Sequence, residues 1–322
     1  MGDAVEVQVV DAVVLGAGPA GLAAAAGLIG ASDLDVRVVE YGGPIGERNR
    51  SSPEDASSGV GGAGLFSDGK FSFFPSATNL WRLEPRRALA ASYDWYRSLL
   101  RDFTWAELVP DLPSERAAVG SRVVGAGVVE KSYPSYYTTL VQREILTAAL
   151  ASSLGDNVLL TNSDLDEVDV GGRTVSVVTR DRASGQVTEL AGRALVIATG
   201  RLSPLELVRM LPAAPWRDGR LEVGVRLDQP SDRFILASHP SVDPKLVVAQ
   251  GDGGAVRTFC CCRGGEVITT HTRGIVSVSG RADVSPTGRS NVGIVLRPSA
   301  SMRRDDPFLL DRVTDVGQHL MC

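Results

Sequence analysis

The sequence predicts an α/β fold followed by a smaller, mainly β unit. Three observations carry this. The stretch Val9–Glu40, VVDAVVLGAGPAGLAAAAGLIGASDLDVRVVE, reads as strand, glycine turn, helix, strand and acidic residue. From Asn157 the apolar period changes to two, as in a meander, and leads into Ala194-Leu195-Val196-Ile197-Ala198-Thr199-Gly200. Beyond a proline-rich stretch the remaining apolar runs are short and alternating, as β-strands are. Together they describe a Rossmann-type nucleotide-binding domain with a β-meander and an added β-rich domain.

The first stretch supplies the chemistry. Val9–Leu15 is apolar and β-branched, as a strand buried on both faces should be. Gly16-Ala17-Gly18-Pro19-Ala20-Gly21 fits G-x-G-x-x-G. Gly16 permits the tight turn, Gly18 lets backbone approach a pyrophosphate, and Gly21 lets the helix pack closely on the strand. The helix start offers N–H donors and partial positive charge to phosphates. Leu34–Val39 is the second strand, and Glu40, 24 residues after Gly16, stands where a ribose hydroxyl is accepted. This pattern predicts dinucleotide binding.

Tyr41–Gly64 is rich in Gly, Pro, Ser, Asp and Asn and reads as a long functional loop. It ends in a second dense motif, GVGGAGLFSDGK over 59–70, which combines exposed backbone N–H groups with Ser67, Asp68 and Lys70. Its functional reading is a loop wrapped on a flat or anionic ligand; its bland reading is a flexible surface turn. Arg87–Leu100 suits an amphipathic helix, with Leu89, Tyr93, Tyr96 and Leu100 on a stripe that reads as core. Tyr133–Tyr137, YPSYY, fits a substrate pocket and aromatic packing equally well. Thr138–Leu154 is a helix stopped by Gly155. The meander strands are expected at Val158–Leu160, Asp164–Val170, Thr174–Arg180 and Gln186–Leu190, and Ala194–Gly200 as another buried strand. A domain boundary is placed in Ser203–Asp218. Strands are expected beyond it at Glu222–Leu227, Leu246–Ala249, Val256–Cys261, Glu266–Thr272 and Val292–Leu296. The division expected is 1–202 for the nucleotide domain with an inserted helical and aromatic segment at 71–137, 203–300 for the β-rich domain, and 301–322 for a tail.

Bulk properties narrow the function. With 322 residues, 43% hydrophobic and 22% charged, the chain has the composition of a soluble globular protein. A net charge of −5 gives no basic footprint for nucleic acid. No signal peptide, spanning run or myristoylation signal is visible, so a cytoplasmic protein without a membrane partner is expected. The four cysteines are Cys322 and the run Cys260-Cys261-Cys262, which forms neither a disulfide framework nor a metal knuckle. In a strand Cys260 and Cys262 share a face, and buried small hydrophobes are preferred to a redox centre. His239, His271 and His319 have no metal-ligand spacing, so no metal is expected. Neither G-x-S-x-G nor a P-loop occurs. No side chain is singled out as catalytic; Lys70 is the best charged candidate beside a bound cofactor.

VVLGAGPAGLAAA, GGAGLFSDGK, ALVIATG and the run GVRLDQP…FCCCRGGEVITT resemble the bacterial FAD-dependent dehydrogenase-like flavoproteins, from about Val9 to Arg297. The resemblance implies a Rossmann-type FAD domain interrupted by a substrate domain. It implies that Gly16, Gly18 and Gly21 face the FAD pyrophosphate and Glu40 the adenosine ribose, with Pro19, Ala20 and Tyr41 also in the cofactor site. Gly62, Ala63, Gly64, Ser67 and Lys70 would line the flavin side, Leu165 would meet adenine through its backbone, and Thr199 and Gly200 would close on the cofactor. Its implied function is FAD-dependent oxidoreduction of the dehydrogenase type, on a small organic substrate, with NAD(P)H as a candidate electron donor.

Such flavoproteins return near the C-terminus with a strand, a Gly-Asp or Gly-Glu pair and a helix. Val247–Asp252 imitates this, but Gly253-Gly254 and alternating Ala255–Cys261 predict a hairpin instead. The expectation is a shortened chain, a site completed by a partner chain, or incomplete FAD binding. A flavin-dependent monooxygenase and a non-catalytic or split-enzyme subunit are the alternative readings, with an NAD-only dehydrogenase a weaker third.

Overall fold

The computed structural model describes residues 5–299 apart from 78, 102–108, 115–119, 126, 201–203, 216–221, 252 and 273. Trp105, Ser203, Trp216, Asp252, His319, Cys322 and the tail from Ser301 therefore lie outside the described residues. The chain begins β1 (Glu6–Val9), β2 (Ala12–Leu15), α1 (Pro19–Ala31), β3 (Val36–Val39), α2 (Gly62–Leu65), β4 (Lys70–Ser72), α3 (Arg86–Arg101). It continues β5 (Ser121–Gly125), β6 (Val128–Lys131), β7 (Ser135–Tyr137), α4 (Leu140–Ser152), β8 (Leu159–Leu160), β9 (Ser163–Gly171), β10 (Thr174–Asp181). Then follow β11 (Val187–Gly192), β12 (Ala194–Ile197), α5 (Pro204–Met210), β13 (Val223–Pro230), β14 (Lys245–Ala249), β15 (Ala255–Cys262), β16 (Glu266–Thr272), β17 (Ile275–Arg281) and β18 (Arg289–Arg297).

Contacts divide the chain into two units. The first takes the described residues of Met1–Phe66, Arg143–Asp218 and Thr269–Ser277; the second takes those of Ser67–Gln142, Gly219–Ile268 and Val278–Cys322.

In the first unit, β12, β2, β3 and β8 form a parallel sheet in that order. A second sheet, β1-β11-β10-β9, holds the meander. The expected single strand Val9–Leu15 is thus two strands. Chain β1 pairs with β11 and β2 with β3 and β12, the switch falling at Val10-Asp11. Asp11 explains the break, because its carboxylate accepts from the Asp35 N–H at 2.9 Å and pairs with Arg193. Val13 and Leu15 from the parallel sheet meet Val168, Val175, Val177 and Leu190 from the meander in one core, capped by Leu207 of α5. Among the described strands, only β2 is buried at every position. The strand expected to be equally buried, β12, is half-exposed because it is an edge strand bonded to β2 alone.

In the second unit an antiparallel sheet runs β13-β18-β15-β14-β6-β5. The described residues of 71–137, expected as an insertion in the nucleotide domain, group here, where β6 pairs with β14. The aromatic stripe of α3 is core: Tyr93 and Tyr96 pack with Trp81, Phe73 and Tyr136 at centroid distances of 5.4–6.4 Å. The segment after β14 is a hairpin into β15, closed by Gln250 N–H to Gly254 O at 2.8 Å. On α4 the apolar Ile145 is exposed, and the polar Arg143 and Thr147 are buried.

Candidate functional site

The turn leaving β2 is held by its own backbone. Gly16 has φ +97°, and a Cβ there would lie 2.6 Å from Ala198 O at the end of β12. A Cβ on Gly21 would lie 1.8 Å from Gly16 O, so α1 sits against the turn with no room for a methyl group. Gly18 differs. It is the N-cap of α1 with ordinary extended backbone (φ −70°, ψ 178°), and the nearest atom to a Cβ there is Gly62 Cα at 3.9 Å. The first turn of α1 has no side-chain cap and no acidic residue, and Pro19 and Ala20 are exposed. A 13-residue helix therefore presents its positive end without a counter-charge from its own first turn.

The second glycine segment lies against the first. Gly61 N–H donates to Ala17 O at 2.8 Å. Gly62 has φ +55°, and a Cβ on it would stand 3.0 Å from Gly18 Cα. Gly64 faces Pro19, with 3.2 Å from a notional Cβ to Pro19 Cγ. Ala63 between them is exposed.

Glu40 ties both segments together. Its Oε2 accepts from Ala17 N–H at 2.7 Å, and its Oε1 accepts from Gly42 and Gly59 N–H, each at 2.9 Å. The carboxylate is buried. Three backbone donors of the described residues thus take three of its four lone-pair directions. Tyr41 lies under the Arg182 guanidinium, 4.4 Å from the ring centroid. Thr199 begins the turn beside Gly16, and Gly200 follows at φ +77°, exposed. Leu165 packs on the core from β9.

Arg48 is a central residue that sequence reasoning missed. Its Nη1 donates to Val60 O at 2.8 Å and its Nη2 to Gly62 O at 3.0 Å and to Asp55 O. Its guanidinium also lies 4.7 Å from the Phe66 ring centroid. Burial pulls its pKa down to about 10, partly offset by Glu40 and Asp55. Arg143 Nε similarly donates to Leu65 O at 2.8 Å. Both arginines hold carbonyls of the glycine-rich segment, which lacks a ladder to satisfy them. The one signal in the sequence is an arginine between two glycine-dense stretches.

Ser67 and Lys70 belong to the second unit. Ser67 Oγ accepts from Gly69 N–H at 3.2 Å. Lys70 pairs with Asp243, and its ammonium lies 5.0 Å and 5.8 Å from the Tyr133 and Tyr137 ring centroids. Desolvation lowers the Lys70 pKa, but the Asp243 carboxylate outweighs it and the net shift is upward. Lys245 nearby is pulled down to about 8 by desolvation and by the Arg257 charge. Burial raises the Tyr137 phenol to about 12.

His271 Nδ1 contacts Glu54 Oε1 at 2.8 Å, and His239 Nε2 lies 3.7 Å from Glu130. Among the described residues no group of three or more His, Cys, Asp or Glu is placed to hold a metal ion. Among them, too, no helix is long and apolar enough to cross a membrane.

No family pattern matches the chain, and no curated protein matches it. Solved structures do. A flavoprotein/dehydrogenase from Cytophaga hutchinsonii is 14% identical over 92% of this chain and 57% of its own, with a TM-score of 0.44. The RebC-10x structure, native and bound to K252c, is 16% identical over 92% of this chain and 48% of its own, at TM-score 0.39. The rebeccamycin biosynthetic enzyme RebC with reduced flavin is 15% identical over 92% and 47%, at TM-score 0.38. The chain spans about half the length of these proteins.

Proposed function

We propose that the first unit binds FAD and that the chain serves an FAD-dependent oxidoreductase, transferring a hydride or electrons between a small organic molecule and the flavin. Gly18 is the observation that carries the reading. Packing within the chain explains Gly16 and Gly21, at 2.6 Å and 1.8 Å from a notional Cβ, but leaves Gly18 open at 3.9 Å. A serine or aspartate there would cap α1; glycine leaves the helix end uncapped and lets an anion approach the backbone. A pyrophosphate fits that need.

The residues fit the rest of a dinucleotide in part. Glu40 would offer its fourth acceptor direction to a ribose hydroxyl while its other lone pairs fix the turn. Gly62, Ala63 and Gly64 offer a small, partly exposed surface next to Gly18 and Pro19. Flavin, when bound, supplies reversible two-electron chemistry. The work of this chain is then to hold the phosphates at the start of α1 and keep the ribose in register through Glu40.

The test is the visible absorption spectrum of the purified full chain, with any released cofactor identified by mass. A flavin spectrum and released FAD support the proposal. A colourless protein that takes up no FAD on reconstitution contradicts it.

A further inference from the structure

The cysteine run does not behave as one buried strand. Cys260 has φ +48°, a left-handed conformation uncommon for a residue with a side chain, and the β15–β18 register shifts between Phe259 and Cys262. The bulge gives the three thiols different surroundings. Cys261 is buried with Phe234 and Val292, its N–H donates to Asp243 Oδ1 at 2.8 Å, and burial raises its pKa to about 11. It is the small hydrophobe that the composition suggests. Cys260 and Cys262 instead face each other, Sγ to Sγ at 3.6 Å, close to contact between unbonded sulfurs.

These two differ in access and in charge. Cys262 is fully buried, and Gly265 and Gly280 are the residues that make room for it. A Cβ on Gly280 would lie 2.7 Å from its Sγ, and one on Gly265 would lie 2.9 Å from its Cβ. Cys260 is partly exposed. The groups facing the pair are Asp68, 3.5 Å from Cys260 Sγ, and Arg226, whose Nη1 donates to Cys260 O at 3.0 Å. Asp243 and Arg263 act on Cys261 beside them. The hydrogen bond from Cys262 lowers the Cys260 pKa, with Arg226 assisting against burial and Asp68; Cys262 is raised in return. A partly exposed cysteine with its sulfur 3.6 Å from that of a fully buried one is the arrangement of an attacking and a resolving cysteine.

We propose that Cys260 and Cys262 form a redox-active dithiol that exchanges with low-molecular-weight disulfides. Cys260 loses its proton to water and its sulfur attacks one sulfur of the small disulfide, whose S–S bond breaks as the mixed disulfide forms. One thiolate leaves and takes a proton from water. Cys262 then loses its proton to water and attacks Cys260 Sγ, which releases the second thiol and closes the Cys260–Cys262 bond. The protein dithiol is oxidised by two electrons and the small disulfide is reduced to two thiols. The sulfurs must close from 3.6 Å to about 2.05 Å, a side-chain movement. The exchange needs no bound flavin.

The test uses the reduced full chain and 2-hydroxyethyl disulfide, followed by alkylation and mass mapping of the tryptic peptide 258–263. The expected result is loss of two hydrogens with a Cys260–Cys262 bond, Cys261 remaining free to alkylate. Cys262→Ser should retain one mercaptoethanol adduct on Cys260, and Cys260→Ser should lose the reaction. Alkylation of both Cys260 and Cys262 in the wild-type chain overturns the proposal, as does a bridge to another cysteine. The wild-type map decides alone if either variant fails to fold.

Discussion

Glu40 carries three backbone donors on a buried carboxylate, and each loses its partner if the side chain is cut back. Glu40→Ala is expected to lower stability by about 3 kcal/mol, read from the urea midpoint, because buried N–H groups are left unpaired. Arg48→Ala removes donors to three carbonyls and is expected to cost about 2–4 kcal/mol. Lysine should not restore it, since one ammonium cannot span the same fork. Lys245 gives a signed pH effect. Its folded pKa of about 8 lies below the ordinary 10.5, so across that window the unfolded chain holds a proton that the folded chain does not. Stability from this group therefore rises as pH increases through the window. The wild-type chain should gain on Lys245→Met between pH 8 and 9, by less than about 1.4 kcal/mol per pH unit. A flat difference across that range contradicts the assignment.

At the scale of elements, α1 and β15 are built on close approaches that tolerate no added carbon. Gly21→Ala would place a methyl group against Gly16 O and is expected to cost about 3 kcal/mol, as overpacking against backbone does. Gly280→Ala meets the end of Arg226 and Cys262 Sγ, and a loss of about 1–3 kcal/mol in denaturant unfolding is expected. The glycine turn, α1 and the meander were legible in sequence because their periods and turn residues are local. Gly172 and Gly185 do stand in left-handed turns between meander strands, as their placement between alternating runs implies. The split of Val9–Leu15 was not legible, because it depends on Asp11 meeting Asp35 and Arg193 far along the chain. The bulge at Cys260 was hidden for the same reason: it appears only once β15 is paired with β18. Strands β5, β6 and β7 are short, and β5 is exposed throughout, so no apolar alternation announces it.

Over the whole molecule, the site residues named from sequence divide between the two units. Gly16 through Gly21, Glu40, Tyr41, Gly62 through Gly64, Leu165, Thr199 and Gly200 belong to the first; Ser67 and Lys70 belong to the second, where Lys70 is paired with Asp243. Sequence spacing cannot reveal this, since Ser67 follows Gly64 by three residues while Lys70 finds its partner, Asp243, 173 residues further along the chain. On the proposed function, α1 begins at a phosphate site and Gly18 is glycine for the sake of a ligand. Titration of the full chain with FAD, wild type against Gly18→Ala, tests it most directly, with the thermal midpoint measured in parallel. Wild type should bind saturably, with affinity weakened about tenfold or more by the methyl group, a loss of about 1.4 kcal/mol, and the FAD-free midpoint should be unchanged. Equal FAD affinity in the two proteins, or no saturable binding by the wild-type chain, would contradict it.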